Sequence, residues 1–193
     1  MQIRSITCAL ALAAGSVGTA VAGPLNLSPL PPDVASGFIL ITYNASTFEF
    51  AARGVTQNIA LPGGIQEPAG LHEFTLLATI DNAGNALGGS LMVRTDHNSP
   101  DSIAFSSSSL TAFGFGATNK FEFIFSQSVG NLASAGTSIG TILVSPLLSF
   151  PNGVPDFSAS FNNEIFPGFG DGNADTFVIP APSSLALVGL AGL

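Results

Sequence analysis

One short stretch near the C-terminus has the residue types and the spacing that a metal ion needs. Residues 171–175 read Asp-Gly-Asn-Ala-Asp and place side-chain oxygens at positions one, three and five, as a calcium-binding loop does. The pattern then departs from that loop, because Thr176 replaces the glycine at position six and Pro182 replaces the glutamate at position twelve. A turn rich in Asp, Gly and Asn before a strand is the alternative interpretation. The candidate ligands for a structural calcium ion are Asp171, Asn173 and Asp175.

The two histidines give no catalytic pattern. His72-Glu73 begins like a zinc-protease motif, but Leu76 stands where the second histidine is needed. His97 follows Asp96 in a polar stretch, and no pattern in the sequence indicates that Ser, His and Asp converge from separate segments as a hydrolase triad requires. We therefore expect a protein that is not an enzyme and has no organic cofactor. A secreted hydrolase of unrecognised type is an alternative that mutation of His97 would test.

Charge and cysteine content narrow the class of protein further. The chain carries a net charge of −8, and such a field repels phosphate backbones, so we expect no nucleic-acid partner. Its single cysteine, Cys8, lies in the N-terminal apolar segment, which leaves the rest of the chain without disulfides or thiolate metal ligands. The fold must then depend on its core and its backbone hydrogen bonds.

The N-terminus is typical of a secretory signal peptide. Arg4 supplies the positive charge, residues 6–14 form the apolar core, and Ala20-Val21-Ala22 is a small-x-small cleavage site. Residues 1–22 are the predicted signal peptide, with Ala20 and Ala22 as the residues that signal peptidase recognises. The mature chain is then expected to start near Gly23, with a proline-rich spacer over residues 23–35.

The remaining chain predicts short antiparallel strands and no amphipathic helix. Alternation is clearest at residues 73–80 and 87–94, which flank an Asp-Asn-Ala-Gly-Asn turn. We expect an all-β domain over residues 36–179, an antiparallel β-sandwich or jelly-roll-like fold of seven to nine strands. Residues 54–70, 95–102 and 162–172 are expected to be loops. An aromatic ladder is predicted to be core, with a ligand-stacking platform as the alternative, at Phe113, Phe115, Phe121, Phe123 and Phe125.

The C-terminal residues have the form of a sorting signal. Pro180-Ala181-Pro182-Ser183-Ser184 precedes the apolar run Leu185–Leu193, and together they resemble the PEP-CTERM tail that exosortases recognise in Gram-negative bacteria. The apolar run has nine residues, whereas about 20 span a bilayer, and the basic cluster of that family is absent. The alternative is a buried final strand. The resemblance implies processing at Pro180, Ala181, Pro182 and Ser183, over a signal at residues 180–193.

These features together predict an exported protein. The resemblance implies transient membrane anchoring through the tail, an exosortase-type processing enzyme as partner, and a location in the envelope, outer surface or extracellular matrix of a Gram-negative-type bacterium. We expect a structural or adhesive role, with extracellular polysaccharide as a candidate partner. The alternative is a carbohydrate-binding module, although the chain has no Trp and Tyr43 is its only tyrosine.

Overall fold

The structure is a computed structural model that describes residues 23–66, 72–96, 102–116, 119–150 and 153–180. Within these ranges the regular secondary structure is entirely β, which confirms the predicted all-β class. Thirteen strands are present in these ranges. They are β1 Asp33–Asn44, β2 Glu49–Leu61, β3 Gly64–Gln66, β4 Glu73–Ile80, β5 Ala86–Arg94, β6 Ile103–Ser107, β7 Ser109–Gly116, β8 Lys120–Gly130, β9 Ala133–Val144, β10 Phe161–Asn162, β11 Glu164–Phe166, β12 Phe169–Gly170 and β13 Gly172–Ile179.

Eight antiparallel strands close into a barrel. Their order is β1-β13-β9-β8-β6-β5-β4-β2, and β2 pairs back with β1. Strands β3, β7 and β10 extend the same sheet, while β11 and β12 form a separate hairpin. The ladder is thinnest between β6 and β8, which share the single residue pair Ser106–Val129. Antiparallel pairing is therefore confirmed, in a sheet that closes on itself.

The strand count exceeds the predicted seven to nine because segments expected to be loops pair with neighbouring strands. Residues 54–61 continue β2, since Val55–Ala60 pair with β1 from Gly37 back to Asp33. Residues 162–172 contain the β11–β12 hairpin and the start of β13. Glycine and proline in these segments predict loops locally, and partners far away in the chain override that preference.

Phenylalanine side chains fill the barrel interior. Phe113 pairs with Phe123 across the β7–β8 ladder, and their ring centroids are 4.9 Å apart. All five rings of the predicted aromatic ladder are buried, with exposed fractions from 0% to 8%. This confirms the core interpretation and leaves no aromatic platform there.

The N-terminal residues of the described chain lie across the outside of the barrel. Leu25, Leu27 and Pro29 are half-buried, whereas the residues between them are exposed, so every second side chain faces the sheet. We call residues 23–27 the strap. The floor beneath it includes Gly114 of β7 and Gly140 of β9, because a Cβ on either would meet strap atoms. The segment predicted as a spacer thus packs on the barrel and leads into β1 at Asp33.

Candidate functional site

A buried asparagine ties three parts of the chain together at one end of the barrel. Asn163, between β10 and β11, is 2% exposed. Its Oδ1 accepts a hydrogen bond from the Ile41 backbone N–H at 2.6 Å, and its Nδ2 lies 2.9 Å from the Ile39 carbonyl oxygen. The same Nδ2 lies 3.1 Å from Ser145 Oγ and 2.9 Å from Asp171 Oδ1. All polar atoms of this buried amide therefore have partners, which fixes its position.

Asp171 completes this cluster. Ser145 Oγ donates to its Oδ1 at 2.5 Å, and the Leu147 backbone N–H donates to its Oδ2 at 2.7 Å. We call Asn163, Asp171 and Ser145 the Asn163 knot. It joins β1, the turn after β9 and the β11–β12 hairpin, so it holds these segments in one arrangement.

The β11–β12 hairpin projects two aromatic rings from the knot. Phe166 and Phe169 stack with centroids 4.9 Å apart, on either side of a Pro-Gly turn. Gly168 has φ +84°, the left-handed conformation that the third position of a type II turn requires. Its N–H donates to Glu164 Oε1 at 3.0 Å, which closes the hairpin. The two rings stack on each other across this turn, while 49% and 40% of their surfaces stay exposed.

Further apolar side chains are exposed on the segments that the knot joins. Phe38 precedes Ile39, has φ +53° and is 51% exposed. A bulky residue in this conformation is uncommon and strained, and such residues concentrate at functional sites. Exposed apolar surface of this kind marks interaction sites. We call the following set the apolar end: Phe38, Val144, Leu147, Ile165, Phe166 and Phe169.

The candidate calcium ligands do not converge. Asp171 directs both oxygens into the knot, whereas Asn173 and Asp175 belong to β13, where Asn173 is exposed. Strand geometry separates residues four apart by about 13 Å, whereas calcium ligands lie about 2.4 Å from the ion. In the part of the chain that the structure describes, no group of three or more His, Cys, Asp or Glu could hold a metal ion. Calcium binding stays a sequence-based prediction without geometric support.

The processing residues are only partly within the described ranges. Pro180 is described, is exposed and directly follows β13. Ala20, Ala22, Ala181, Pro182 and Ser183 lie outside the described residues, as does His97. Among the residues that are described, no helix is long and apolar enough to cross a membrane.

A buried carboxylate on the outer face of the barrel was not singled out by the sequence. Glu122 of β8 has no exposed side-chain surface. Its Oε2 accepts the backbone N–H groups of Leu25 at 2.5 Å and Asn26 at 3.1 Å, and its Oε1 accepts that of Leu27 at 2.8 Å. Asn26 has φ +57°, and such a left-handed residue lets successive N–H groups converge on one anion. Lys120 Nζ lies 2.7 Å from Oε1.

The electrostatics of Glu122 follow from these contacts. Burial by itself raises the pKa of Glu122, but the hydrogen bonds from Lys120, Leu27 and Leu25 together outweigh burial and hold this pKa below its ordinary value. The carboxylate is therefore ionised and fully paired at neutral pH. No local sequence signal could have pointed to it, because Glu49 also stands between two phenylalanines and is exposed.

Two shallow grooves on the outside of the barrel combine hydroxyl groups with apolar side chains. One, of about 360 Å³, lies over β2, β4 and β5 and includes Thr47, Glu49 and Ser90. The other, of about 420 Å³, lies beside the thin β6–β8 ladder and includes Ser106 and Gln127. Neither groove is lined by an aromatic side chain. They offer hydrogen-bonding groups without a surface on which a sugar ring or a base could stack.

Comparisons of this chain with family models, with curated proteins and with solved structures found no match.

Proposed function

We propose that this is an exported protein of the bacterial envelope or extracellular matrix with a structural or adhesive role. One observation carries the proposal. Strand β13 begins at Gly172, next to Asp171 of the Asn163 knot, and ends at Ile179, directly before Pro180. Its eight residues span roughly 26 Å. A tail anchored or processed after Pro180 would therefore leave the apolar end on the far side of the barrel, directed away from the bilayer.

The adhesive role is supported by the exposed aromatic rings of the apolar end. The stacked Phe166–Phe169 pair and the closed Pro-Gly turn present apolar surface in a fixed shape. A preorganised surface binds more tightly than a flexible one because less conformational freedom is lost on binding. A contact to a matrix component through this end is the mechanism that we favour.

The adhesive role is tested by replacing both rings. Phe166→Ser with Phe169→Ser should leave export and folding intact and should reduce retention of the protein in the matrix fraction of its host. Ile65→Ser is the matched control, since Ile65 is 74% exposed but lies on β3. Equal loss of retention in both variants would exclude a specific role for the apolar end.

The sorting role is tested separately. Pro180 and Pro182 are replaced with alanine and Ala181 with serine, and intact mass and cell fractionation are measured. Under the sorting hypothesis, localisation and C-terminal processing change while the barrel still folds. An unchanged location and a mature chain that retains Leu185–Leu193 would contradict it.

We also infer that the barrel is flattened and sandwich-like. Support comes from the single pair that joins β6 and β8, and from β7, which pairs with β8 while no ladder to β5 is described. Amide hydrogen exchange that is faster at Ser106 and Val129 than along the β8–β9 ladder would agree with such a thin edge. Uniform protection around the ring would argue for a regular barrel.

A carbohydrate-binding module is the second candidate function. The groove over β2, β4 and β5 favours it, because hydroxyl and carboxylate groups such as those of Thr47, Ser90 and Glu49 can bind sugar hydroxyls. The lack of aromatic residues in the grooves argues against it. A glycan array on which the parent protein binds nothing would remove this candidate. If the parent binds a glycan, Glu49→Ala should weaken that binding.

A further inference from the structure

The strap and the surface beneath it form a complementary pair. Three backbone N–H groups of the strap bind Glu122, while Leu25 and Leu27 lie on glycines. A Cβ added to Gly114 would overlap the Gly23 carbonyl oxygen and lie 2.8 Å from Leu25 Cγ. The strap acceptor, as we call this surface, consists of Gly114, Gly116, Lys120, Glu122 and Gly140.

The strap is attached to β1 by a segment that has no described hydrogen bond. Over residues 28–32 the structure describes no hydrogen bond, and Leu30 is 52% exposed. Three of these five residues are prolines, which have no N–H to donate to a ladder. This segment therefore acts as a linker between two docked parts, the strap and β1.

The strap lies outside the barrel and is not threaded through it. The ring of eight strands closes through β1 and β2 without any residue before Asp33. Undocking the strap therefore uncovers the acceptor but breaks no pairing of the ring. The strap of another copy would make the same hydrogen bonds and the same apolar contacts, so concentration and linker strain decide which copy supplies it.

We propose that two copies of this chain exchange straps, each docking residues 23–27 on the acceptor of the other. The linker sets the geometry: five residues extend at most about 17 Å, so the acceptor faces of the two copies must lie against each other. This favours a reciprocal pair over an open chain, because each acceptor then lies within reach of the other copy's strap. The inference is independent of the apolar end and of the sorting tail.

An engineered disulfide between the strap and its acceptor tests this exchange. A Cβ on Gly116 would lie 3.8 Å from Pro24 Cβ, which is the usual Cβ–Cβ separation in a disulfide. The full chain contains one cysteine, so Cys8→Ser makes any introduced thiols the only ones. Pro24→Cys and Gly116→Cys would be placed on separate copies, mixed at high concentration, oxidised and analysed by non-reducing electrophoresis and intact mass.

The expected result is a disulfide-linked pair of the two single variants, several-fold more abundant than with Pro24→Cys and Gly63→Cys. Gly63 is the control because it lies in the β2–β3 turn, where an added Cβ meets neither the strap nor any other atom within 4 Å. Asn26→Val on the strap-donating copy should reduce the yield, since a β-branched residue resists a positive φ.

Three results would overturn the proposal. A crosslink yield no higher than the Gly63→Cys background would mean that straps stay on their own barrel. Failure of the double variant Pro24→Cys/Gly116→Cys to form any disulfide between positions 24 and 116, within one copy or between two, would mean that the strap does not dock as described. A specific crosslink in particles larger than two copies, by analytical ultracentrifugation, would replace the reciprocal pair with an open chain.

Discussion

Glu122 and Asp175 lie in one cross-strand row on the outside of the barrel, yet their surroundings shift their pKa values in opposite directions. Each is paired with Ile142, Glu122 from β8 and Asp175 from β13. The pKa of Glu122 is lowered because hydrogen bonds outweigh its burial. The pKa of Asp175 is raised by burial first and then by the like charge of Asp33. Position in the sheet is shared, so the difference comes from their neighbours: Lys120 and the strap around Glu122, and Asp33 beside Asp175.

A strand can carry a carboxylate on a partly covered face in two kinds of surroundings. A carboxylate that accepts several hydrogen bonds and one ammonium contact remains charged at low cost. A carboxylate that faces another carboxylate is destabilised when charged, and its pKa rises. The strap supplies three donors to Glu122, whereas Asp175 receives no hydrogen bond that lowers its pKa.

The largest effect is expected from Glu122→Gln. The amide nitrogen would face the N–H groups of Leu25 and Asn26, so two donors lose their acceptor and Lys120 loses its counter-charge. We expect the free energy of unfolding to fall by about 3 kcal/mol. Urea denaturation measures this loss, and thermolysin cleavage before Leu25 or Leu27 reports release of the strap.

Glu49→Gln is the control for this prediction, because Glu49 is an exposed carboxylate on β2. It should change the free energy of unfolding by less than about 0.5 kcal/mol. If both variants lost stability equally, or if the strap of Glu122→Gln remained protected from thermolysin, the carboxylate would not be the group that holds the strap.

The second effect is steric and comes from the strap acceptor. Gly114→Ala should displace the strap, because the added methyl overlaps the Gly23 carbonyl oxygen. Overpacking of this kind costs about 1–3 kcal/mol. Gly116→Ala is the matched control two residues along the same strand, where the nearest strap atom is Pro24 Cβ at 3.8 Å, an ordinary contact. Thermolysin should cut the strap of the first variant faster; similar cutting of both would contradict the described docking.

The sequence predicts strand β4 well and the burial of Glu122 poorly. Strand β4 was predicted with its observed bounds, Glu73–Ile80, because its side chains alternate regularly between core and surface. The same alternation puts Glu122 on the outer face and predicts an exposed carboxylate. Its burial depends on strap residues 95 to 97 positions away. Local periodicity contains no information about which distant segment covers a strand.

The Asn163 knot was missed for the same reason. Its bonds to Ile39 and Ile41 join residues 124 and 122 positions apart. Residues 162–172 have the glycine and proline content of a loop, and the sequence offered Asp171 as a calcium ligand. Ser145 Oγ and the Leu147 N–H instead donate hydrogen bonds to this carboxylate. The residue that resembled a calcium ligand is therefore an internal hydrogen-bond acceptor.

The smallest effect, of opposite sign, is expected from Asp175→Asn. Removing a charge that is partly buried and faces Asp33 should raise the free energy of unfolding at pH 7. The pair is partly exposed and screened by salt, so the gain is a few tenths of a kcal/mol up to about 1 kcal/mol. Urea denaturation of the parent protein and of Asp175→Asn, in low salt, measures it.

The pH dependence distinguishes the two carboxylates. A raised pKa means that the folded state holds the Asp175 proton more tightly than the unfolded state, so its destabilising effect is full above the folded pKa and is lost as the pH falls toward 3.8. The advantage of Asp175→Asn should therefore disappear in acid. Glu122 behaves oppositely: its stabilisation is full above its ordinary pKa of 4.5 and is lost as the pH falls through its lowered folded pKa. A constant advantage of Asp175→Asn between pH 7 and pH 3 would show that it does not arise from the charge of Asp175.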